Sequence, residues 1–148
     1  MAVKSNRKMK TTVHLVASAI LAAALYPVFG WKAVFILAGG VLIDVDHYLW
    51  YVCKYKKFSL FGCYNHFIVQ MESNHQKENM GILIAFHTIE FLLIAGILSF
   101  YSQYALVFTI GLLGHYLLDL IYLYTVPKRF IANHSIIHWI YRNKIQKV

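Results

Sequence analysis

An acidic motif inside an apolar run constrains this chain more than any other feature. Asp44, Asp46 and His47 lie in the stretch LIDVDHYLWY, residues 42–51, and two of the three aspartates of the chain are there. An ionised carboxylate in a segment that crosses a lipid bilayer is costly and is usually functional. The motif therefore needs a compensating partner, and the other polar residues of the apolar segments are the candidates.

The composition predicts an all-α, polytopic membrane protein. Hydrophobic residues make up 59% of the chain and charged residues 14%, with a mean hydropathy of +0.56. Soluble domains have about 25% charged residues, and helices are the usual way to cross a bilayer because they satisfy their own backbone. With 148 residues there is room for a single membrane domain.

Apolar runs and turn signals divide the chain into four predicted transmembrane helices, over about residues 12–29, 31–53, 80–100 and 102–126. The cytoplasmic loop 54–79 contains an aromatic and apolar stretch that is too short to cross, so we expect an interfacial or re-entrant segment there. The tail 128–148 predicts an amphipathic helix on the membrane surface. Gly39 and Gly40 in the second span would let another helix approach closely.

The basic residues predict the orientation. Thirteen of the fourteen Lys and Arg residues fall in the N-terminal segment, the loop 54–79 or the tail, and only Lys32 falls on the other side. The positive-inside rule then places both termini in the cytoplasm. Clusters between apolar segments are typical of membrane topology rather than of a nucleic-acid-binding face. We therefore expect membrane lipid, and no nucleic acid, as the partner.

The predicted spans contain carboxylates and imidazoles without basic partners. Structural ion pairs would need Lys or Arg in the same spans, because an unpaired buried charge is expensive. Histidine and carboxylate together are the ligand set of Zn, Mn or Fe. The polar residues concerned are His14, Asp44, Asp46, His47, His87, Glu90, His115 and Asp119.

The spacing of these residues supports a divalent metal site with one or two ions. Residues three or four apart share a helix face, and three pairs have this spacing: Asp44 with His47, His87 with Glu90, and His115 with Asp119. Helical bundles build carboxylate metal sites from such pairs. The predicted metal ligands are His14, Asp44, His47, His87, His115 and Asp119. Asp44, His47, His87 and Asp119 fall in one layer roughly 9–14 Å below the cytoplasmic surface, and His14 is shallower.

Two carboxylates are left for catalysis. Asp46 points about 200° away from Asp44 on an ideal helix. It would be a ligand only through a local kink, and otherwise an acceptor for a ligand histidine or a helix cap. Glu90 or Asp46 is the predicted general base, because that step needs a carboxylate that is not consumed as a ligand.

Several other residues stay open. A lone intramembrane histidine is more often an interhelical hydrogen-bond partner than a ligand. His66, His75, His134 and His138 are therefore undecided between the site, the membrane interface and plain packing. Tyr116 is expected to pack or to anchor at the interface, with a proton-donor role as the alternative.

The motifs resemble those of the YdjM-like family of membrane-bound predicted metal-dependent hydrolases. The matching pieces are His14 in the first span, LIDVDH with Asp44, Asp46 and His47, and GHYLLD with His115 and Asp119. The family typically carries an HRG-x-THS-like stretch that this chain lacks. FHTIE, with His87 and Glu90, would replace its second half, and His66 or His75 its first. The His-x-x-x-Asp element is also similar to that of zinc-dependent phospholipase C enzymes, and by analogy implies a phosphoester substrate.

The sequence thus predicts a membrane-embedded, metal-dependent hydrolase with zinc as the expected metal and manganese or iron as alternatives. It would act on a lipid or lipid-linked ester, in particular a phosphoester, at the cytoplasmic side. Three other functions fit the same residues: a divalent-metal or proton transporter, an iron-dependent lipid oxygenase, and a non-catalytic scaffold. The substrate, the metal and the oligomeric state are not determined by the sequence.

Overall fold

The described part of the chain is helical throughout. The computed structural model describes residues 11–72, 83–125 and 135–145, and these ranges contain no β-strand. The predicted all-α class is confirmed. The α-helices are α1 Thr11–Phe29, α2 Phe35–Gly40, α3 Val45–Tyr55, α4 Leu60–Glu72, α5 Ile89–Ser99, α6 Gln103–Thr125 and α7 Ile136–Ile145. Short 3₁₀ segments lie at Gly30–Val34, Leu42–Asp44 and Ala85–His87.

Two helical stretches are long and apolar enough to cross a membrane. They are the run Thr11–Tyr55, which contains α1 to α3, and Gln103–Tyr122 within α6. Their large apolar side chains point outward, with Ile20 65% and Val28 73% exposed. Exposed apolar surface of this kind is typical of a face that contacts lipid or a partner.

The predicted second span is helical but broken. Residues 30–55 pass through a 3₁₀ turn, six residues of α2, a second 3₁₀ turn and then α3. The break lies at Val41, whose φ of −135° and ψ of −47° are not helical. The acidic motif therefore begins on a 3₁₀ turn, at Asp44, and continues on a new helix, where Asp46 is placed.

The predicted third span is shorter in the structure than its apolar run implies. Of residues 80–100, helix α5 covers only Ile89–Ser99, which is about 16 Å of helix against a hydrocarbon core of about 30 Å. Ile84 and Thr88 are extended, with ψ of 99° and 151°. Four continuous transmembrane helices are therefore not confirmed. The turn between Ser99 and Gln103 is confirmed.

Helix α6 is the centre of the fold and packs against α1, α2 and α5. Its contact with α2 is the closest, because glycines face the opposing backbone. A Cβ on Gly39 would collide with the carbonyl oxygen of Phe108, and one on Gly111 with that of Ile36. The close approach predicted from Gly39 and Gly40 is confirmed, and it brings the start of the acidic motif against the part of α6 that carries His115.

The two predicted interfacial segments contain helices. Helix α4 packs on α3 through a buried cluster of Tyr51, Cys63 and Phe67, joined by Ile84. Helix α7 lies in the tail, where residues 126–134 and 146–148 are outside the described ranges. Residues 73–82 of the central loop are likewise outside them.

Candidate metal centre

Four side chains from three parts of the chain converge on one point. His115 and Asp119 lie one turn apart on α6, Asp44 ends the 3₁₀ turn before α3, and His87 ends the 3₁₀ turn before α5. The Nε2 atoms of His87 and His115 are 3.1 Å apart. The described residues thus bring together four of the six predicted metal ligands, and the other two lie beside them.

His115 is held by the backbone of the neighbouring helix. Its side chain is 1% exposed, and its Nδ1 donates a hydrogen bond to the carbonyl oxygen of Gly40 at 3.0 Å. A carbonyl only accepts, so the proton of the neutral ring lies on Nδ1 and the Nε2 lone pair is free. The close approach of α2 and α6 therefore aims Nε2 of His115 at the centre.

His87 is oriented in the same way by a carboxylate. Its Nδ1 donates to Oδ2 of Asp46 at 3.0 Å, and the same oxygen accepts the backbone N–H of Phe86 at 2.8 Å. Asp46 is buried, with 5% of its surface exposed. This is the acceptor role that the sequence left open for Asp46. Metal-ligating histidines typically donate their second ring N–H to such a partner, which fixes the tautomer.

The lone pairs of the two imidazoles consequently face each other, together with carboxylate oxygens. Oδ1 of Asp44 is 3.5 Å from both Nε2 atoms, and Oδ2 of Asp119 is 3.3 Å from that of His115 and 3.9 Å from that of His87. Four electron-rich atoms at these distances repel one another unless a metal cation or a proton lies between them. Tetrahedral zinc with bonds of about 2.0–2.1 Å places its donor atoms about 3.3 Å apart. The residues present therefore fit a divalent metal ion.

The centre is buried on the imidazole side and open on the carboxylate side. The side chains of Asp44 and Asp119 are 27% and 31% exposed, against 10% for His87 and 1% for His115. No Lys or Arg forms an ion pair with Asp44, Asp46 or Asp119 among the described residues. The partly exposed carboxylates mark the side from which an ion can enter.

The remaining two predicted ligands adjoin this centre in different ways. His14 lies 3.4 Å from Asp119, Nε2 to Oδ1, and its ring stacks on that of His115. His47 donates from Nδ1 to Oδ1 of Asp46 at 2.9 Å and lies 3.8 Å from Asp44. The described residues contain three groups able to hold a metal ion: His14 with His115 and Asp119, Asp44 with His87 and His115, and Asp46 with His47 and His87.

Glu90 is directed away from the cluster. Its carboxylate accepts hydrogen bonds from the Ser135 hydroxyl at 2.6 Å and from the backbone N–H groups of Ile136 and Ile137 at 3.1 and 3.3 Å. It thereby caps the N-terminus of α7. The prediction that His87 and Glu90 share a helix face is wrong, because the extended Thr88 separates the 3₁₀ turn of His87 from α5. A general-base role for Glu90 has no support in its contacts.

The break before α5 is stabilised by side chains. The Tyr116 hydroxyl donates to the carbonyl oxygens of Phe86 and Thr88, at 2.9 and 3.2 Å. The Thr88 hydroxyl donates to the carbonyl oxygen of Ala85 and accepts the N–H of Phe91. Irregular backbone at membrane depth is tolerated where protein groups satisfy it. Tyr116 thus stabilises the segment that contains His87, a role that was not predicted from the sequence.

The other histidines stand apart from the centre or outside the described residues. His66 lies in an aromatic cluster with Trp50, Tyr51, Tyr55 and Phe67. Burial and the nearby charge of Lys54 lower the pKa of its imidazole, which keeps it neutral. The side chain of His138 is exposed on α7. His75 and His134 lie in segments that the structure does not describe.

Two groups of the site could not be identified from the sequence. They are the Gly40 carbonyl and the Phe86 N–H, which are backbone groups that any residue type supplies. Only the glycine pair at 39–40 pointed to a close backbone approach. No protein-family model, curated protein or solved structure matches the chain, so its resemblance to the YdjM-like family remains a prediction from motifs.

Proposed function

We propose that this protein is a membrane-embedded, metal-dependent hydrolase that acts on lipid-linked phosphoesters. The observation that carries the proposal is the convergence of side-chain nitrogen and oxygen atoms from Asp44, His87, His115 and Asp119 on one region, at separations that suit metal ligands. Here the ring protons of His87 and His115 are both directed outward, to Asp46 and Gly40.

Zinc is the metal that we infer. Two nitrogen and two oxygen donors at these separations suit its tetrahedral preference, whereas manganese and magnesium prefer six oxygen-rich positions. Once bound, zinc lowers the pKa of a coordinated water to about 7 and polarises the scissile bond. Iron, which would favour an oxygenase, binds a similar set of residues, and elemental analysis of the purified protein distinguishes the two.

The residues around the donors suit the proton transfers of hydrolysis. The oxygen of a water forms a bond to phosphorus while the ester bond to the leaving alcohol breaks. The water gives one proton to a base, which passes it to the leaving oxygen. We assign this role to His47, because Asp46 accepts a hydrogen bond from its Nδ1, which in a neutral ring leaves the lone pair on Nε2. Asp46 itself is engaged by three donors, so we assign it the positioning of His47 and His87.

The membrane setting supports a lipid as the substrate. The centre is formed where the apolar run Thr11–Tyr55 meets α6, and the positive-inside rule predicts that its open side faces the cytoplasm. A substrate that resides in the bilayer reaches such a position without leaving the membrane. Lipid headgroups that contain a phosphoester lie at this depth, which agrees with what the motif resemblance implies.

The test uses the full chain purified in detergent. Chelation of metal should abolish hydrolysis of short-chain phosphatidic acid and phosphatidylglycerol in mixed micelles, and zinc should restore it. His115→Ala and Asp44→Asn should each lower metal content and reduce kcat/KM at least ~100-fold. His138→Ala is the matched control, since it removes an exposed histidine outside the centre. Full metal content and full activity in His115→Ala would exclude the proposal.

A metal-stabilised, non-catalytic scaffold is the second candidate. The specific observation in its favour is that four protein side chains offer donor atoms, which is the number that closes a structural zinc site. A scaffold would bind zinc tightly and unfold on chelation, but it would hydrolyse none of the phospholipids tested. Activity that depends on added metal, at constant unfolding temperature, separates the two candidates.

A further inference from the structure

His14 is a buried histidine with a single polar contact among the described residues. It is 3% exposed, its Nδ1 has no hydrogen-bond partner, and its Nε2 lies 3.4 Å from Oδ1 of Asp119. The ring is therefore held by its stacking on His115 and by the contact of Nε2 with Asp119, and both of these residues belong to the candidate centre.

Asp119 faces two positions with its two oxygens. Oδ2 points to the four-donor centre, 3.3 Å from Nε2 of His115, while Oδ1 points to His14. A carboxylate in this arrangement can bridge two ions. The Oδ1–Nε2 separation of 3.4 Å is also close to the spacing of about 3.3 Å expected for two ligands of one zinc ion.

The ring geometry directs the lone pairs of His14 and His115 to two neighbouring ion positions rather than to a single one. The two imidazoles stack with centroids 3.9 Å apart and planes inclined by 20°. The lone pair of an imidazole nitrogen lies in the plane of its ring. An ion in the plane of His115 is therefore well out of the plane of His14, and an ion that His14 binds lies beside it. Two-metal sites separate their ions by about 3.5–4 Å, which is comparable with this stacking distance.

The grouping of the donor atoms gives an independent reason for a second position. Asp44, His87 and His115 form one group able to hold an ion, and His14, His115 and Asp119 form another. In the second group, Nε2 of His14 and Oδ1 of Asp119 face the neighbouring position. Its other positions are open to water and to the oxygens of a substrate. The surplus of carboxylate charge agrees, because one divalent ion does not balance Asp44, Asp46 and Asp119.

We infer that a second divalent cation binds between Nε2 of His14 and Oδ1 of Asp119, with Asp119 bridging the two ions, and that a phosphate oxygen of the substrate completes its coordination. This inference rests on the proposed hydrolase function. The first ion then holds the helices together, and the second one presents the phosphoester to the attacking water. With fewer protein ligands, the second ion is bound more weakly than the first.

The test counts metal ions per chain. The full protein in detergent is stripped with chelator, equilibrated with buffered zinc and analysed by mass spectrometry of the elements. The wild type should bind two equivalents, one tight and one weak. His14→Gln should keep the tight one, lose the weak one and lose at least ~100-fold in kcat/KM. His138→Gln, the control, should bind two equivalents.

Each other outcome has a definite meaning. One equivalent in both the wild type and His14→Gln, with hydrolysis unchanged, overturns the second position and leaves the hydrolase proposal standing. Loss of all metal in a folded His14→Gln overturns it too, because His14 would then belong to a single centre. No metal in the wild type, with hydrolysis insensitive to chelation, overturns the proposed function itself.

A second measurement does not depend on the folding of a variant. Wild-type protein loaded with two equivalents of Mn²⁺ should show the electron paramagnetic resonance spectrum of a spin-coupled pair, since a carboxylate-bridged pair of ions interacts magnetically. Spectra of isolated Mn²⁺ ions alone would contradict a bridged second position. Addition of glycerol phosphate should tighten binding of the second equivalent, and an unchanged affinity would exclude the assigned phosphate contact.

Discussion

Asp46 orients two imidazoles of the candidate metal centre. Its two oxygens accept hydrogen bonds from both neighbouring imidazoles, Oδ1 from His47 and Oδ2 from His87, and Oδ2 also accepts the N–H of Phe86. Each bond places a ring proton on Nδ1 and so leaves Nε2 unprotonated. Asp44, two residues earlier, has the same chemistry but faces the ligand atoms themselves.

The contrast between the two aspartates leads to a prediction. Asp46→Asn keeps the size of the side chain but cannot accept hydrogen bonds from both imidazoles through carboxylate oxygens. We expect metal affinity to fall about 10–100-fold, as for other groups that orient a ligand, while saturating zinc still gives the wild-type metal content. Asp44→Asn, which removes a donor atom, should lower the content even at saturation. Competition with a chromophoric zinc chelator measures both effects.

If Asp46→Asn and Asp44→Asn lowered metal content equally at saturating zinc, the division of the motif into a ligand and a positioning residue would be wrong. Size-exclusion elution and unfolding temperature serve as controls for both variants, because a loss of fold would lower the metal content without bearing on this division.

At the scale of elements, the site depends on two breaks in helical structure and on one close helix contact. The break at Val41 precedes the acidic motif, in which Asp44 faces His87 Nε2 and Asp46 accepts a hydrogen bond from His87 Nδ1. The extended Thr88 turns His87 toward α6 and leaves Glu90 to cap α7. The contact of α2 with α6 brings the Gly40 carbonyl to His115. Of these features, the extended Thr88 is the one that separates a predicted helix-face pair, His87 and Glu90.

The α2–α6 contact can be tested at a glycine. Gly111→Ala would place a methyl group against the carbonyl oxygen of Ile36, and backbone cannot move aside as a flexible side chain can. We expect a loss of stability of about 1–3 kcal/mol, typical of overpacking. Zinc affinity should fall as well, because Gly40 would recede from His115. Thermal unfolding in detergent and zinc competition measure the two losses.

Gly96→Ala is the matched control for this substitution. Gly96 lies inside α5, and a Cβ added to it would meet no atom within 4 Å. Alanine there should be neutral or stabilising by up to ~1 kcal/mol through helix propensity. Equal destabilisation by both substitutions would show that the close approach of α2 and α6 is not the reason for the loss of stability in Gly111→Ala.

At the scale of the whole molecule, the chain combines a polar centre with an apolar exterior. Aromatic residues at the turn between α5 and α6 are almost fully exposed, with Phe100 87% and Tyr101 83%. Lys32 at the same end interacts with Gln103 and with the ring of Tyr104. The remaining basic residues belong to the opposite end in the predicted topology. The charge asymmetry therefore predicts that the turn between α5 and α6 faces the outside of the cell and that Cys53 faces the cytoplasm.

Labelling of cysteines with a membrane-impermeant maleimide tests this topology. Tyr101→Cys in a Cys53→Ser, Cys63→Ser background should react in intact cells. Wild-type Cys53, which is exposed, should react only after the cells are lysed. The buried Cys63, when it is the single cysteine, should react poorly in intact cells and in lysed cells. Labelling of Cys53 in intact cells would reverse the orientation and place the open side of the metal centre outside the cell.

The sequence by itself determined the all-α class, the apolar segments, and the presence in them of histidines and aspartates without basic partners. It also identified the pairs Asp44 with His47 and His115 with Asp119, because those spacings are local properties of a helix and the structure keeps them. What only the tertiary structure decided is the role of each residue. Whether a carboxylate binds metal, orients an imidazole or caps a helix depends on which distant group faces it. Asp46 meets His87, Glu90 meets α7 and His14 meets Asp119 through packing between segments far apart in the chain, and no spacing rule encodes those contacts.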